Sequence, residues 1–300
     1  MVFISLKIPF MHPINPSQKL PEHTCDTHVH VFEPTQFPYA AKRAYTPGRA
    51  SVEQLLAMHQ SLGVGRVVLV QPSVYDTDNA CLLDAIARIG PSRARGVAVV
   101  DLNTVSDDTL ASLHAGGVRG IRLNLHVSGE AGLAHVQQQV LAANRLAQLP
   151  SWHLQVHASM AVQVALLDTY ARLGLPVVLD HFAGGATDNS EGHALLQPLF
   201  HAMCTQPLYV KLSAAYRMAA GCNARALTRA FYQAAPTQVL WGSDWPHTGG
   251  AGGQGRNPEA VEPFRDIDNQ DALTHITQAL GSDAAVHQVL VSNPAHLYGF

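Results

Sequence analysis

Short apolar runs rich in β-branched residues recur along the chain, alternating with longer segments whose apolar positions repeat every three to four residues. Eight of the runs predict strands, at 24–32, 66–71, 96–102, 120–125, 153–157, 177–181, 208–213 and 239–243. Each is apolar on both faces, as a strand wedged between covering helices and a packed interior must be. The intervening segments carry helix signals. Ser51 and Gln54 form a capping box ahead of Leu55, Leu56 and Leu62, and Gly63 supplies the stop. Asp78 precedes a one-face stripe of Cys81, Leu82, Ala85, Ile86 and Ile89 that Gly90-Pro91 closes. Ser106 opens a helix through Leu110 and Leu113 that ends at Gly116-Gly117, and further helices are expected over 133–148, 160–173, 193–204, 223–235 and 271–280.

Eight strand–helix units in order predict an α/β fold, a (β/α)8 TIM barrel spanning 24–300 as one domain, with 1–23 as an N-terminal arm. The competing open, doubly wound sheet usually needs a Gly-rich phosphate turn after its first strand, and none follows Phe32. Polar residues gather instead at the C-terminal end of nearly every run: His28 and His30, Gln71 and Ser73, Asn103, Arg122 and Asn124, His157, His181, Lys211 and Ser213, and Asp244. A closed barrel brings those ends to one mouth, where barrel enzymes keep their chemistry. His28 and His30 lie two apart on one strand, so their imidazoles converge. Arg119 is expected ahead of the fourth strand as a solvated residue, which leaves Arg122 facing the mouth. The Gly-rich stretch 248–257 is expected as a rim or lid loop.

Composition narrows the class. With 300 residues, 47% of them hydrophobic, and a net charge of -3, the chain can bury a full core and offers no polyanion surface. Nineteen Lys and Arg against 22 Asp and Glu leave no basic stripe for nucleic acid. No run approaches the ~18 consecutive apolar residues of a membrane span, and the first ten residues lack the features of a signal peptide. Cys25, Cys81, Cys204 and Cys222 are scattered without CxxC spacing, which fits a reducing, cytoplasmic location. Monomer and homo-oligomer both stay open.

An HxH on the first strand, histidines ending the fifth and sixth, and an aspartate ending the eighth resemble the amidohydrolase superfamily over 24–300. The chain is more closely similar to the amidohydrolase-related lactone hydrolases of the 2-pyrone-4,6-dicarboxylate lactonase type. Segments that carry this likeness include Phe37-Pro38 with Tyr45-Thr46-Pro47, Thr77-Asp78-Asn79-Ala80, Gly117-Val118-Arg119-Gly120-Ile121-Arg122, Trp241-Gly242-Ser243-Asp244-Trp245-Pro246-His247 and Asn293-Pro294-Ala295-His296-Leu297-Tyr298.

The resemblance implies opening, or the reverse closure, of a cyclic ester bearing a carboxylate. It makes Asp244 the general base and sets His28, His30 and His181 to polarise the carbonyl or hold the base. Arg122 and Arg217 would clamp the substrate carboxylate, with hydrogen bonds from Tyr45 and Ser73. These groups suit acyl chemistry, which needs a positioned water, a base and donors at the developing oxyanion.

Two departures stand out. After the fourth strand this chain reads His126-Val127-Ser128-Gly129-Glu130, where the lactonases carry further basic residues. His157 stands where they have tyrosine and where metal-dependent decarboxylases of the wider family have a histidine ligand. His157 is thus either a substrate contact or, with His28, His30 and Asp244, part of a mononuclear zinc or manganese site, and the cofactor is either none or that single metal. The alternatives to a lactonase are a metal-dependent, non-oxidative decarboxylase of an aromatic or muconate-type acid, and a non-catalytic binding protein for a small carboxylate.

Overall fold

The structure is a computed structural model that describes residues 19–125, 132–185, 190–218, 222–249 and 257–300. Eight parallel strands follow one another in sequence order: β1 Cys25–Val29, β2 Arg66–Val70, β3 Ala94–Ala98, β4 Val118–Asn124, β5 His153–His157, β6 Val177–Leu179, β7 Leu208–Leu212 and β8 Val239–Trp241. The ring closes where Val29 bridges to Trp245 and the Asp244 amide donates to the His28 carbonyl at 2.9 Å. Gly242 permits that closure, because a Cβ there would sit 2.6 Å from His28 Cβ. This is the expected (β/α)8 barrel.

Outside the strands lie α1 Val52–Leu62, α2 Ala80–Ile89, α3 Asp107–Ala115, α4 Leu133–Ala142, α5 Met160–Ala165, α6 Ser190–Thr205, α7 Ala224–Ala234 and α8 Asn269–Leu280. The capping box of Ser51 and Gln54 forms, and Gly63 ends α1 in the left-handed region at φ 79°. Period-two alternation divides the core in two. Val67 and Leu69 pack outward against the helices, whereas Val68 and Val70 point inward with Val97, Val178 and Leu240 onto Leu297 and Tyr298, which plug the barrel floor.

Some boundaries differ from expectation. β3 starts two residues early, since Gly96 is not a boundary: it leaves room for Ile86 of α2, whose Cδ1 would lie 2.6 Å from a Cβ there. Arg119 falls inside β4, with its guanidinium donating to the His114 and Val118 carbonyls at 2.9 and 2.7 Å. The α2 N-cap is Asn79, with Asp78 accepting from the Ala80 amide. The helical segments Asp283–His287 and Asn293–Tyr298 were not anticipated, nor was the two-residue pairing of Thr46–Pro47 with Val261–Glu262. Most of the anticipated arm, the 126–130 segment and positions 250–256 of the anticipated rim loop lie outside the described residues. No described helix is long and apolar enough to cross a membrane.

Candidate active site

The strand ends present their side chains through bent backbone. The pairing register shifts between Asp26 and Val29 of β1, and such an irregularity re-aims side chains, here turning His28 and His30 toward the mouth. Asp26, buried beneath them, accepts from the His28 and Ser243 amides at 3.2 and 2.9 Å and lies 3.1 Å from His59 Nε2, tying β1 to β8 and α1. His181 and Asp244 follow β6 and β8 in the left-handed region, at φ 51° and 63°. Residues held there cluster where function over-determines the backbone.

Asp244 is the centre. Its Oδ2 accepts from the Tyr216 hydroxyl at 2.5 Å and from Arg217 Nε at 3.1 Å. Its Oδ1 faces three ring nitrogens: His28 Nε2 at 3.6 Å, His30 Nε2 at 3.7 Å and His181 Nε2 at 3.9 Å. His30 Nδ1 lies 2.8 Å from the Val70 carbonyl, which can only accept, so the ring proton sits on Nδ1 and Nε2 offers a lone pair. His181 Nδ1 pairs with Ser213 Oγ at 2.8 Å. Burial keeps His28 and His181 neutral, pushing each down to about 3. Burial also works against an ionised Asp244, but the polar groups that ring it, with the Arg217 guanidinium as the permanent cation among them, hold the carboxyl well below its usual range.

Two buried atoms there, His28 Nε2 and Asp244 Oδ1, make no hydrogen bond. Buried polar atoms left without partners call for a water or a cation between them. His28, His30 and Asp244 form one group whose ligand atoms lie within 4.8 Å of one another, and His28, Asp180 and His181 form another. The first fits a single divalent metal. In the second, Asp180 Oδ1 lies 3.2 Å from His28 Nδ1, a distance that suits a shared proton. Neither group includes His157, whose Nδ1 lies 3.1 Å from Arg122 Nη2, an arrangement that goes with the substrate-contact alternative.

A cavity of about 140 Å³ opens beside Asp244. Arg122, His157, Tyr45, Ser73 and Arg217 all line it, as do Asn124 and Thr248, for which no role was anticipated. Arg122 donates Nε to Asp180 at 3.0 Å, and Arg217 Nη2 donates to the Thr248 carbonyl at 3.1 Å. Arg217 thus lines the cavity and also holds the carboxylate of Asp244. A larger cavity of about 650 Å³ lies behind Tyr216 between α7 and α8, rimmed by Asp266, Asp268 and Asp271. Of the polar residues that end the strands only Ser213 lines it, so size does not mark the chemistry here.

Sequence reasoning gave no part to Tyr216, Asp180 or Asp26. Lys211 drew notice only as a strand-end polar residue. A lysine at the second-last position of an otherwise apolar five-residue strand was the available signal for a buried charge.

The amidohydrolase family model matches residues 25–300, nearly the whole barrel. The chain belongs to the amidohydrolase family. Among curated relatives of this amidohydrolase, the 4-sulfomuconolactone hydrolase of Rhizobium radiobacter is 31% identical over 93% of this chain and 91% of its own. The 2-pyrone-4,6-dicarboxylate hydrolase of Comamonas testosteroni is 34% identical over 96% and 94%. A solved structure of a probable 2-pyrone-4,6-dicarboxylic acid hydrolase from Acinetobacter baumannii, with citric acid bound, superposes with a TM-score of 0.75 at 28% identity, covering 93% of this chain and 100% of that one.

Proposed function

We propose that this amidohydrolase hydrolyses a small lactone carrying an anionic substituent, with Asp244 as general base. The observation that carries the reading is Asp244 Oδ1: a buried, ionised carboxylate oxygen without a donor, ringed by three imidazoles, at the edge of a cavity that two arginines line. The named relatives act on lactones, and citric acid in the Acinetobacter baumannii structure is a small polycarboxylate. The decarboxylase and binding-protein alternatives gain no such support.

Tyr216 and Arg217 hold Oδ2, so the free lone pairs of Oδ1 are aimed at a water in the cavity. Asp244 takes that water's proton as the oxygen bonds to the lactone carbonyl carbon. The ring C–O bond then breaks, and the proton returns to the departing oxygen, giving an open-chain hydroxy acid. Ser213 can donate its hydroxyl to His181 Nδ1, which leaves His181 Nε2–H to stabilise the carbonyl oxygen as charge develops. Arg122, backed by His157, takes the anionic substituent, because a planar guanidinium matches a carboxylate or sulfonate. Tyr45 and Ser73 add hydrogen bonds from the rim. A zinc or manganese ion, held by His28, His30 and Asp244, would add Lewis-acid polarisation and a more acidic water.

The test combines turnover of 2-pyrone-4,6-dicarboxylate and 4-sulfomuconolactone with metal analysis of the same preparation. Release of one acid group per ring opened, at a rate that Asp244→Asn lowers about 10²–10⁴-fold, supports the reading. Release of carbon dioxide, or binding of either lactone without turnover with or without zinc and manganese, contradicts it.

A further inference from the structure

Beneath His28 lies a buried charge cluster that the reaction as described does not use. Lys211 and Asp180 are both fully buried, and Lys211 Nζ donates to the Thr27 carbonyl and to Gln155 Oε1 at 2.7 Å each. The same ammonium lies 3.4 Å from His28 Nδ1 and 4.0 Å from Asp180 Oδ1. Asp180 Oδ2 accepts from Arg122 Nε at 3.0 Å, while Oδ1 sits 3.2 Å from His28 Nδ1, has no other donor and is off-line for an ideal hydrogen bond.

His28 Nδ1 thus faces a choice. If it accepts from Lys211, its lone pair confronts the lone pairs of an ionised oxygen 3.2 Å away, and that buried oxygen stays without any donor. If Nδ1 carries the proton, Asp180 Oδ1 faces a donor 3.2 Å away, though in a bent contact, and only the third ammonium proton of Lys211 lacks a close acceptor, with the carboxylate still 4.0 Å away. An unsatisfied buried carboxylate oxygen is the costlier defect.

We propose that Asp180 is a positioning residue that keeps the His28 proton on Nδ1, so that Nε2 presents a lone pair beside Asp244 Oδ1. Arg122 belongs to the same chain of contacts: the guanidinium that lines the cavity also fixes Asp180, which fixes His28. Anion binding and the orientation of His28 then depend on one carboxylate. Histidines that ligate a metal are commonly oriented in this way by a carboxylate on the far ring nitrogen, and loss of such a partner costs about 10–100-fold in metal affinity or activity. The role in catalysis rests on the lactonase reading; the tautomer itself does not.

Nitrogen NMR of the protein labelled at its histidines, with His28 assigned by substitution, separates the two. Wild-type His28 is expected to carry its proton on Nδ1. In Asp180→Asn the oxygen of the amide must face Arg122 Nε–H, which turns the NH2 toward His28 and moves the ring proton to Nε2, with kcat down about 10–100-fold and KM changed less. Lys211→Met should leave the proton on Nδ1. A bare Nδ1 in the wild type, accepting from Lys211, overturns the proposal even if the lactonase reading stands. Failure of lactone turnover with the predicted tautomer intact counts against the lactonase reading alone. If Asp180→Asn does not fold, the wild-type and Lys211→Met spectra decide.

Discussion

His153 and His157 lie four residues apart on β5 and face the same side of the barrel wall, yet they share almost nothing. His157 stands at the mouth, with Nδ1 3.1 Å from Arg122 and its ring edge-on to His181. His153 lies at the floor, fully buried, packed edge-on to Tyr298, with both ring nitrogens lacking hydrogen bonds. Burial pushes it down to about 3, so it fills space as a neutral ring. Gly120, its pairing partner on β4, is shaped to it: a Cβ there would come within 2.4 Å of the imidazole. A strand thus carries chemistry at one end and packing at the other, and residue type alone does not distinguish them.

The contrast breaks hardest at the mouth. Asp244→Asn should lower kcat by about 10²–10⁴-fold, the usual worth of a general base, while thermal unfolding changes little beside that loss. A variant with near wild-type kcat would remove Asp244 from the reaction. His157→Leu withdraws one partner of Arg122, worth about 1 kcal/mol, and should reduce kcat/KM roughly tenfold or less. The same exchange at the floor, His153→Leu, should leave kcat/KM unaltered; a comparable loss there would erase the distinction.

At the floor the sensitive quantity is stability. Gly120→Ala drives a methyl into the His153 ring and should cost about 1–3 kcal/mol, read as a lower Tm. Combining it with His153→Ala should restore part of that loss. A further effect appears only in acid. His153 titrates at 6.5 when unfolded but near 3 when folded, so between those values the unfolded chain binds more protons and stability falls with decreasing pH. His153→Leu should make the decline of Tm over that window shallower, whereas a slope unchanged by the substitution would mean that the floor ring is solvated.

The parts of this picture that depend on period were legible in the sequence. Alternation of strand and helix runs located all eight barrel strands, and the polar residues ending them marked the mouth. The start of β3 was not legible, because Gly96, expected as its first residue, lies inside the strand and serves to admit Ile86. Nor was the partner of each polar atom. The contact of Arg217 Nε with Asp244 and that of His157 Nδ1 with Arg122 join residues far apart in the chain, which no local pattern announces. Asp180 follows an apolar run and looks like half of a strand-end pair, while its two buried cationic neighbours come from β4 and β7, far away in the chain.

The most direct test of the central claim is hydrolysis in ¹⁸O-labelled water, followed by mass spectrometry of the product. With 2-pyrone-4,6-dicarboxylate or 4-sulfomuconolactone, the wild type should place one labelled oxygen in the newly formed carboxylate, and Asp244→Asn should form that product about 10²–10⁴-fold more slowly. Ring opening by the wild type without label in that carboxylate, or label incorporated equally fast by Asp244→Asn, would contradict water attack on the carbonyl by way of Asp244.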